Sequence, residues 1–333
     1  MSLVAVTVLA EIPENLVVEG VPTVPEDLKR QVRPYLEFRL AGFQSWHPQR
    51  REILITTRFA DTPQLHLVKQ PGGARRQLTF FSEPVAGGSF RPKTGEYIVF
   101  SQDTGGSEFF QLYRFDLTNA QVTLLTDGKS RNTGGAWAES GNQLAYTSTR
   151  RNGKDNDIYV IDPARPESNR LVTEVSGGGW SATDWSPEEA TLLVSQYISI
   201  NESHLFLLDV KSGQRSPLTP PGETGVAWAG AKFAKDGKSV FATTDKDSEF
   251  RRLVRLDLTS RAMTVLTPNL NWDVDAFDLS PDGKLIAFVA NEDGASVLHL
   301  LEVESGRERP APKLPLGVLT GLEWHPQGRE LGF

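Results

Sequence analysis

The chain has 333 residues, no cysteine, and 35 Lys plus Arg against 42 Asp plus Glu, a net charge of −7. That balance argues against nucleic acid or an anionic membrane as a partner, since either calls for a basic face. Without thiols there is no disulfide, thiolate metal site or cysteine nucleophile, and no stretch approaches the roughly 18 apolar residues of a membrane-spanning helix.

Leu3 to Leu9 alternates as a strand does, and Leu3 to Ala10 has the apolar core of a leader, but the run is short and no Lys or Arg precedes it. A cytoplasmic location is therefore expected, with the periplasm as the alternative. Asn15-Leu16-Val17-Val18 is a second short apolar piece. Pro25 to Leu36 predicts a lead-in helix: Glu26 and Asp27 fall in its first turn, Leu28 and Val32 share a face, and Pro34 is expected to stop it near Arg33. The chain thus divides into an extension, residues 1–42, and a repeat domain, residues 43–333.

Within the repeat domain Trp46, Phe90, Trp137, Trp185, Phe233, Leu279 and Trp324 recur at intervals of 44, 47, 48, 48, 46 and 45 residues, each followed by a short polar turn. The sixth copy is the clearest, with Ser280-Pro281-Asp282-Gly283-Lys284 leading into Leu285 to Val289. Proline presets φ, aspartate suits the next position, and glycine takes the positive φ that closes the hairpin. A period in the forties with this turn chemistry predicts an all-β chain, a seven-bladed β-propeller with one four-stranded blade per repeat. Second strands such as Tyr97-Ile98-Val99-Phe100 and Val240-Phe241-Ala242-Thr243 are apolar on both faces, as strands sandwiched between neighbouring sheets must be. Third strands often end in Asp, as at Asp116, Asp162, Asp209 and Asp257. Fourth strands close on Leu-Thr at Leu78-Thr79, Leu125-Thr126, Leu218-Thr219 and Leu266-Thr267. Short polar side chains in these places satisfy backbone groups at hairpin ends.

The seventh repeat runs from Gly321 to Phe333 and breaks off inside its second strand. By the period, roughly 25 to 30 residues of blade are missing. The expectation is a seventh blade left incomplete because the chain is a piece of a longer protein. The alternative is that the amino-terminal strand supplies the missing edge.

Candidate chemistry is sparse. His47 and His325 occupy equivalent Trp-His-Pro turns, and His66, His204 and His299 fall on third strands of different blades, so packed imidazoles are expected and no metal site. Asp155-Asn156-Asp157 and Asp245 to Glu249 lack the spacing of a calcium loop and read as hairpin caps. The loops joining second to third strands, with the Gly128 to Asn132 connector between blades, are expected on one face of the disc. They supply the candidate binding residues Arg58, Glu108, Arg131, Asn132, Arg150 and Asp155. In this reading Glu108 meets an amine, and Arg58 and Arg131 meet a carboxylate. No serine has glycine on both sides, Gly179-Trp180-Ser181-Ala182-Thr183 being the nearest miss, so no nucleophile elbow and no catalytic residue is assigned.

The Ser280 to Lys284 turn with its Leu285 to Val289 strand resembles the repeat of TolB-type propellers and of prolyl oligopeptidase family serine peptidases. Ser45-Trp46-His47-Pro48, Arg76-Gln77-Leu78-Thr79-Phe80 and Asp103 to Glu108 are most similar to bacterial acylaminoacyl and dipeptidyl peptidases of that family. The resemblance implies a substrate-gating propeller without catalytic power of its own, a carboxy-terminal α/β-hydrolase domain absent from this chain, peptide substrates and no cofactor. A stand-alone TolB-like scaffold for protein interactions is the alternative. A third reading, a hydrolase using axial carboxylates or a metal, has only scattered acids in its favour.

Overall fold

The computed structural model describes residues 17–328 and 330–333. The Leu3 to Leu9 strand expected from the sequence lies outside the described residues. The described residues divide into two compact units, one ending at Arg39 and the other beginning at Leu40. The first contains a helix, Glu26–Leu36, with acids in its first turn and the ion pairs Lys29–Glu26 (2.7 Å) and Arg33–Glu37 (2.5 Å) along its side. Pro34 does not stop this helix at Arg33. It falls in the last turn, where only one intrahelical bond is lost, and the Glu37 N–H closes the end on the Arg33 carbonyl at 2.9 Å.

Among the described residues the second unit has six four-stranded antiparallel blades and one two-stranded sheet. The blades occupy residues 42–77, 85–124, 132–173, 180–217, 228–265 and 274–309. The seventh repeat appears as Glu323–Trp324 paired with Leu331–Gly332, not as a four-stranded blade. First strands touch first strands from blade to blade and so form the inner ring. Each of the seven periodic apolar residues is the last residue of such a strand. Second strands lie in the cores: every residue of Leu144–Ser148 and of Ser239–Thr244 is buried. Apolar side chains from facing blades form the layers between them, as where Leu54 and Leu65 meet Phe90 and Phe100.

Local hydrogen bonds explain the recurring polar positions. Thr79, Thr126, Thr219 and Thr267 each accept, on Oγ1, the backbone N–H of a third-strand leucine (Leu65, Leu112, Leu205, Leu253) at 3.0, 3.1, 3.2 and 3.0 Å. In the sixth turn Ser280 Oγ accepts the Leu285 N–H at 2.9 Å and donates to Asp282 at 2.7 Å, while Gly283 takes a φ of 71°. Asp209 and Asp257 collect the N–H groups of Ser212 and Ser260 across the turn after the third strand.

The ring is sewn along its inner strands. Ser45 Oγ accepts the Phe90 N–H at 3.1 Å, Asp184 Oδ2 the Phe233 N–H at 2.7 Å, and Asp278 Oδ2 the Trp324 N–H at 2.6 Å. In each case the residue before one periodic apolar residue holds the backbone of the next blade. The last repeat then meets the first: Trp46 Nε1 donates to the Glu323 carbonyl at 3.1 Å, His325 Nε2 lies 3.3 Å from the Arg50 carbonyl, and Arg51 pairs with Glu330. Gly332 lies so close to Phe43 and Trp46 that a Cβ there would sit 2.7 Å from the Phe43 ring. The two-stranded sheet therefore bridges the sixth blade and the first.

Candidate functional site

The loops expected to carry binding residues split into separate local networks. Glu108, with a positive φ of 61°, and Arg131 come together at 3.4 Å, joining a second-to-third-strand loop to the connector between blades. Asn132 is buried and spends its amide on the Phe110 and Ser130 carbonyls, both at 2.9 Å. Arg150 lies 3.5 Å from Asp127 and 5.1 Å above the Tyr159 ring. Asp155 accepts from Arg151 (3.1 Å), Asn152 (2.7 Å) and the Gly177 N–H (2.8 Å), which holds its carboxyl below the usual carboxylate range. Arg58 stands half-buried just after the Ile53–Thr57 strand of the first blade. The structure thus pairs Glu108 with Arg131 and uses Asn132 and Asp155 to tie down backbone.

The histidines are packed side chains. His47 Nδ1 accepts the Gln49 N–H and His325 Nδ1 the Gln327 N–H, both at 3.1 Å, and burial lowers the His47 pKa. His66 stands edge-on to Phe59, and His299 is stacked on Phe288 between Glu292 and Glu308.

At the opposite ends of the inner strands, on the turn side, all seven repeats line one cavity of ≈ 420 Å³. Turn prolines Pro48, Pro92, Pro187, Pro281 and Pro326 and the aromatic residues Trp137, Trp185, Phe233 and Trp324 form much of its wall. Across its rim Glu139 binds Lys93 at 2.7 Å and, from a blade two places along, Lys235 at 3.3 Å. The hydrogen bond from Lys93 is the main reason the Glu139 carboxyl is held below its ordinary range.

Four charged residues immediately precede wall residues on consecutive inner strands: Asp184, Lys232, Asp278 and Glu323. Backbone bulges between Ala182 and Asp184 and between Ala229 and Lys232 set the aim of the first two. Lys232 pairs with Asp278 on the next blade, its side chain 39% exposed against 9% for the aspartate. Burial opposes the Lys232 charge, but Asp278 outweighs it and the lysine pKa is raised. Burial pushes the Asp184 carboxyl up, in part offset by the Phe233 N–H. Burial and the nearby Asp278 push Glu323 up to about 7. Lys232 thus acts on three carboxylates, with Lys235 acting on Asp184 as well. In the linear sequence these acids are scattered among many others. The legible signal was their common place, one residue ahead of the periodic apolar residue in four successive repeats.

A ring of radial antiparallel blades closed along its inner strands defines the chain as a β-propeller. Residues 133–290, from the third blade to the second strand of the sixth, match the dipeptidyl peptidase IV N-terminal region. Dipeptidyl aminopeptidase BIII of Pseudoxanthomonas mexicana is 28% identical over 114 residues, 34% of this chain and 16% of that protein, so the chain matches only a small part of that relative's length. Among solved structures a prolyl endopeptidase superposes with a TM-score of 0.69 at 13% identity, covering 86% of this chain and 45% of the other. An oligogalacturonate lyase in complex with manganese gives 0.70 at 11% identity, covering 88% and 85%. TolB from Acinetobacter baumannii gives 0.54 at 17% identity, covering 81% and 62%. Within its class the chain is similar, over residues 133–290, to the propeller region of dipeptidyl peptidase IV-type peptidases, with a prolyl endopeptidase and TolB among its structural neighbours.

Proposed function

We propose that this chain is the substrate-gating propeller of a prolyl-oligopeptidase-like serine peptidase whose α/β-hydrolase domain lies outside the 333 residues. The match of residues 133–290 to the dipeptidyl peptidase IV N-terminal region carries the reading. The role is steric and electrostatic. A ring held at its inner strands stays narrow, so an extended peptide can enter where a folded protein cannot, and charged groups such as Glu108, Arg131, Arg150 and Arg58 orient it. The seventh repeat, with outer strands supplied by further chain, completes a seven-bladed disc, and the protein works in the cytoplasm. The test is to read the gene beyond Phe333 and treat its full product with a fluorophosphonate. A Gly-x-Ser-x-Gly elbow and covalent labelling are expected for the full product and no labelling for residues 1–333 alone. A stop codon directly after Phe333 sinks the reading and leaves the TolB-like interaction scaffold.

A further inference from the structure

Away from the axis, a second cavity lies between the first and second blades, beside the outer strand Arg75–Gln77. Strand register builds one wall of it. Leu54 stands opposite Leu67, and Leu67 opposite Arg76, so these side chains share a face, and alternation along the strands carries Lys69 and Leu78 to the same side. Leu67 and Phe115, each 5% exposed, pack together with Leu78 and Leu117 against them, and this apolar layer floors a space of ≈ 520 Å³. Phe80, just past the outer strand and 78% exposed, lines it as well. The volume is within the range of small-ligand sites.

The charge in the lining is unbalanced. Arg50, Lys69 and Arg76 accompany one carboxylate, Glu52. Glu52 is only 12% exposed and lies 3.0 Å from Arg50. Lys69 and Arg76 are exposed, and neither side chain has a hydrogen-bond or ion-pair partner among the described residues. Elsewhere between blades the arginines are matched: Arg91 has Glu96, Arg114 has Asp116 and Arg151 has Asp157. Long stems over an apolar floor keep the two spare cationic heads at the wet mouth, where their donors are open to a ligand.

We propose that this cavity binds a small anion with an aromatic body, its carboxylate held by Arg76 and Lys69 and its ring laid on Leu67 and Phe115 beside Phe80. A guanidinium can take a carboxylate through two parallel hydrogen bonds, and the ring covers apolar surface that water otherwise wets. A free arylalkanoate and the carboxy-terminal phenylalanine of a peptide present this same chemistry. The inference rests on the cavity and is independent of the peptidase reading.

The test is a calorimetric titration of the 333-residue chain with N-acetylphenylalanine and with its amide, which keeps the ring and lacks the charge. The acid is expected to bind about tenfold more tightly, and added salt to weaken the acid alone. Arg76→Gln combined with Lys69→Gln, at exposed positions that leave the floor intact, should remove that preference while the amide binds as before. Phe80→Ala should weaken acid and amide alike. Equal binding of acid and amide, no binding of the acid, a preference that survives the double substitution, or affinities unmoved by Phe80→Ala overturns the proposal. N-acetyl-Ala-Ala-Phe separates the two sources of ligand: tighter binding than N-acetylphenylalanine assigns the site to peptide carboxy termini, and equal or weaker binding assigns it to free acids. None of these results bears on fluorophosphonate labelling, which a catalytic serine alone decides.

Discussion

Thr267 shows how much one side-chain oxygen carries at a hairpin end. It is buried, and its Oγ1 is the acceptor for the Leu253 N–H. Thr267→Val keeps the shape and strands that donor, so urea denaturation should show a loss of about 1–3 kcal/mol. The residue type was readable from its recurrence after leucine, because a short hydroxyl at a strand end has few other roles. Glu323 was not readable in this way. Its carboxyl is raised from an ordinary 4.5 to about 7 by burial and by Asp278. A carboxyl with a higher pKa folded than unfolded binds more protons in the native state, so its contribution is full below about 4.5 and fades as pH rises through about 7. Glu323→Gln should therefore flatten the pH dependence of stability between those limits. Above neutrality it should melt later than the parent chain, by about 1–3 kcal/mol of stability at most. Calorimetric scans at pH 5 and pH 8 check this, and an unchanged slope would refute it.

At the scale of the element, turn chemistry determines hairpin geometry and neighbouring blades determine which turns tolerate change. Gly213, after the third strand of the fourth blade, has a φ of +73°, and a Cβ there would come within 2.4 Å of the Val172 carbonyl on the third blade. Gly213→Ala should cost about 2 kcal/mol or more, from left-handed strain plus a backbone that must move. A midpoint in urea within error of the parent chain would contradict this. The close approach of this glycine to another blade follows from packing that no local pattern encodes. The Glu26–Leu36 helix makes the complementary point. Its start was legible from acids in the first turn, while its end was misplaced because a proline in the last turn forfeits little. Of the candidate residues Asn132 opens the Asn132–Trp137 strand and the others lie between strands, and Arg150 and Asp155 belong to different networks, since partner choice depends on distances across strands.

For the whole molecule the question is how the last repeat meets the first. Asp278 holds both Lys232 and the Trp324 backbone. Asp278→Ala should cost about 2–4 kcal/mol, because it removes the acceptor of the Trp324 N–H and the ion-pair partner of a lysine that solvent still partly screens. Gly332→Ala should have a smaller effect of about 1–3 kcal/mol, by forcing the Phe43 and Trp46 rings apart. Both variants should lower the melting temperature and expose Trp46, which a red shift in its emission would report. Melting temperatures equal to that of the parent chain would mean that the seam does not limit stability.

The all-β propeller class was legible in the sequence alone, because a period near 46 residues with proline and glycine at fixed offsets favours radial hairpins that a ring buries, whereas the seven blades expected stand as six four-stranded blades and one two-stranded sheet among the described residues. Family likeness was legible for the same reason, in strings tied to those turns. Ring closure by the two-stranded sheet and the gathering of Asp184, Lys232, Asp278 and Glu323 at the axis were decided only by the tertiary structure. Those residues lie about one repeat apart in the chain, and curvature alone brings one from each of four blades to the same narrow throat, where shared burial makes their charges depend on one another.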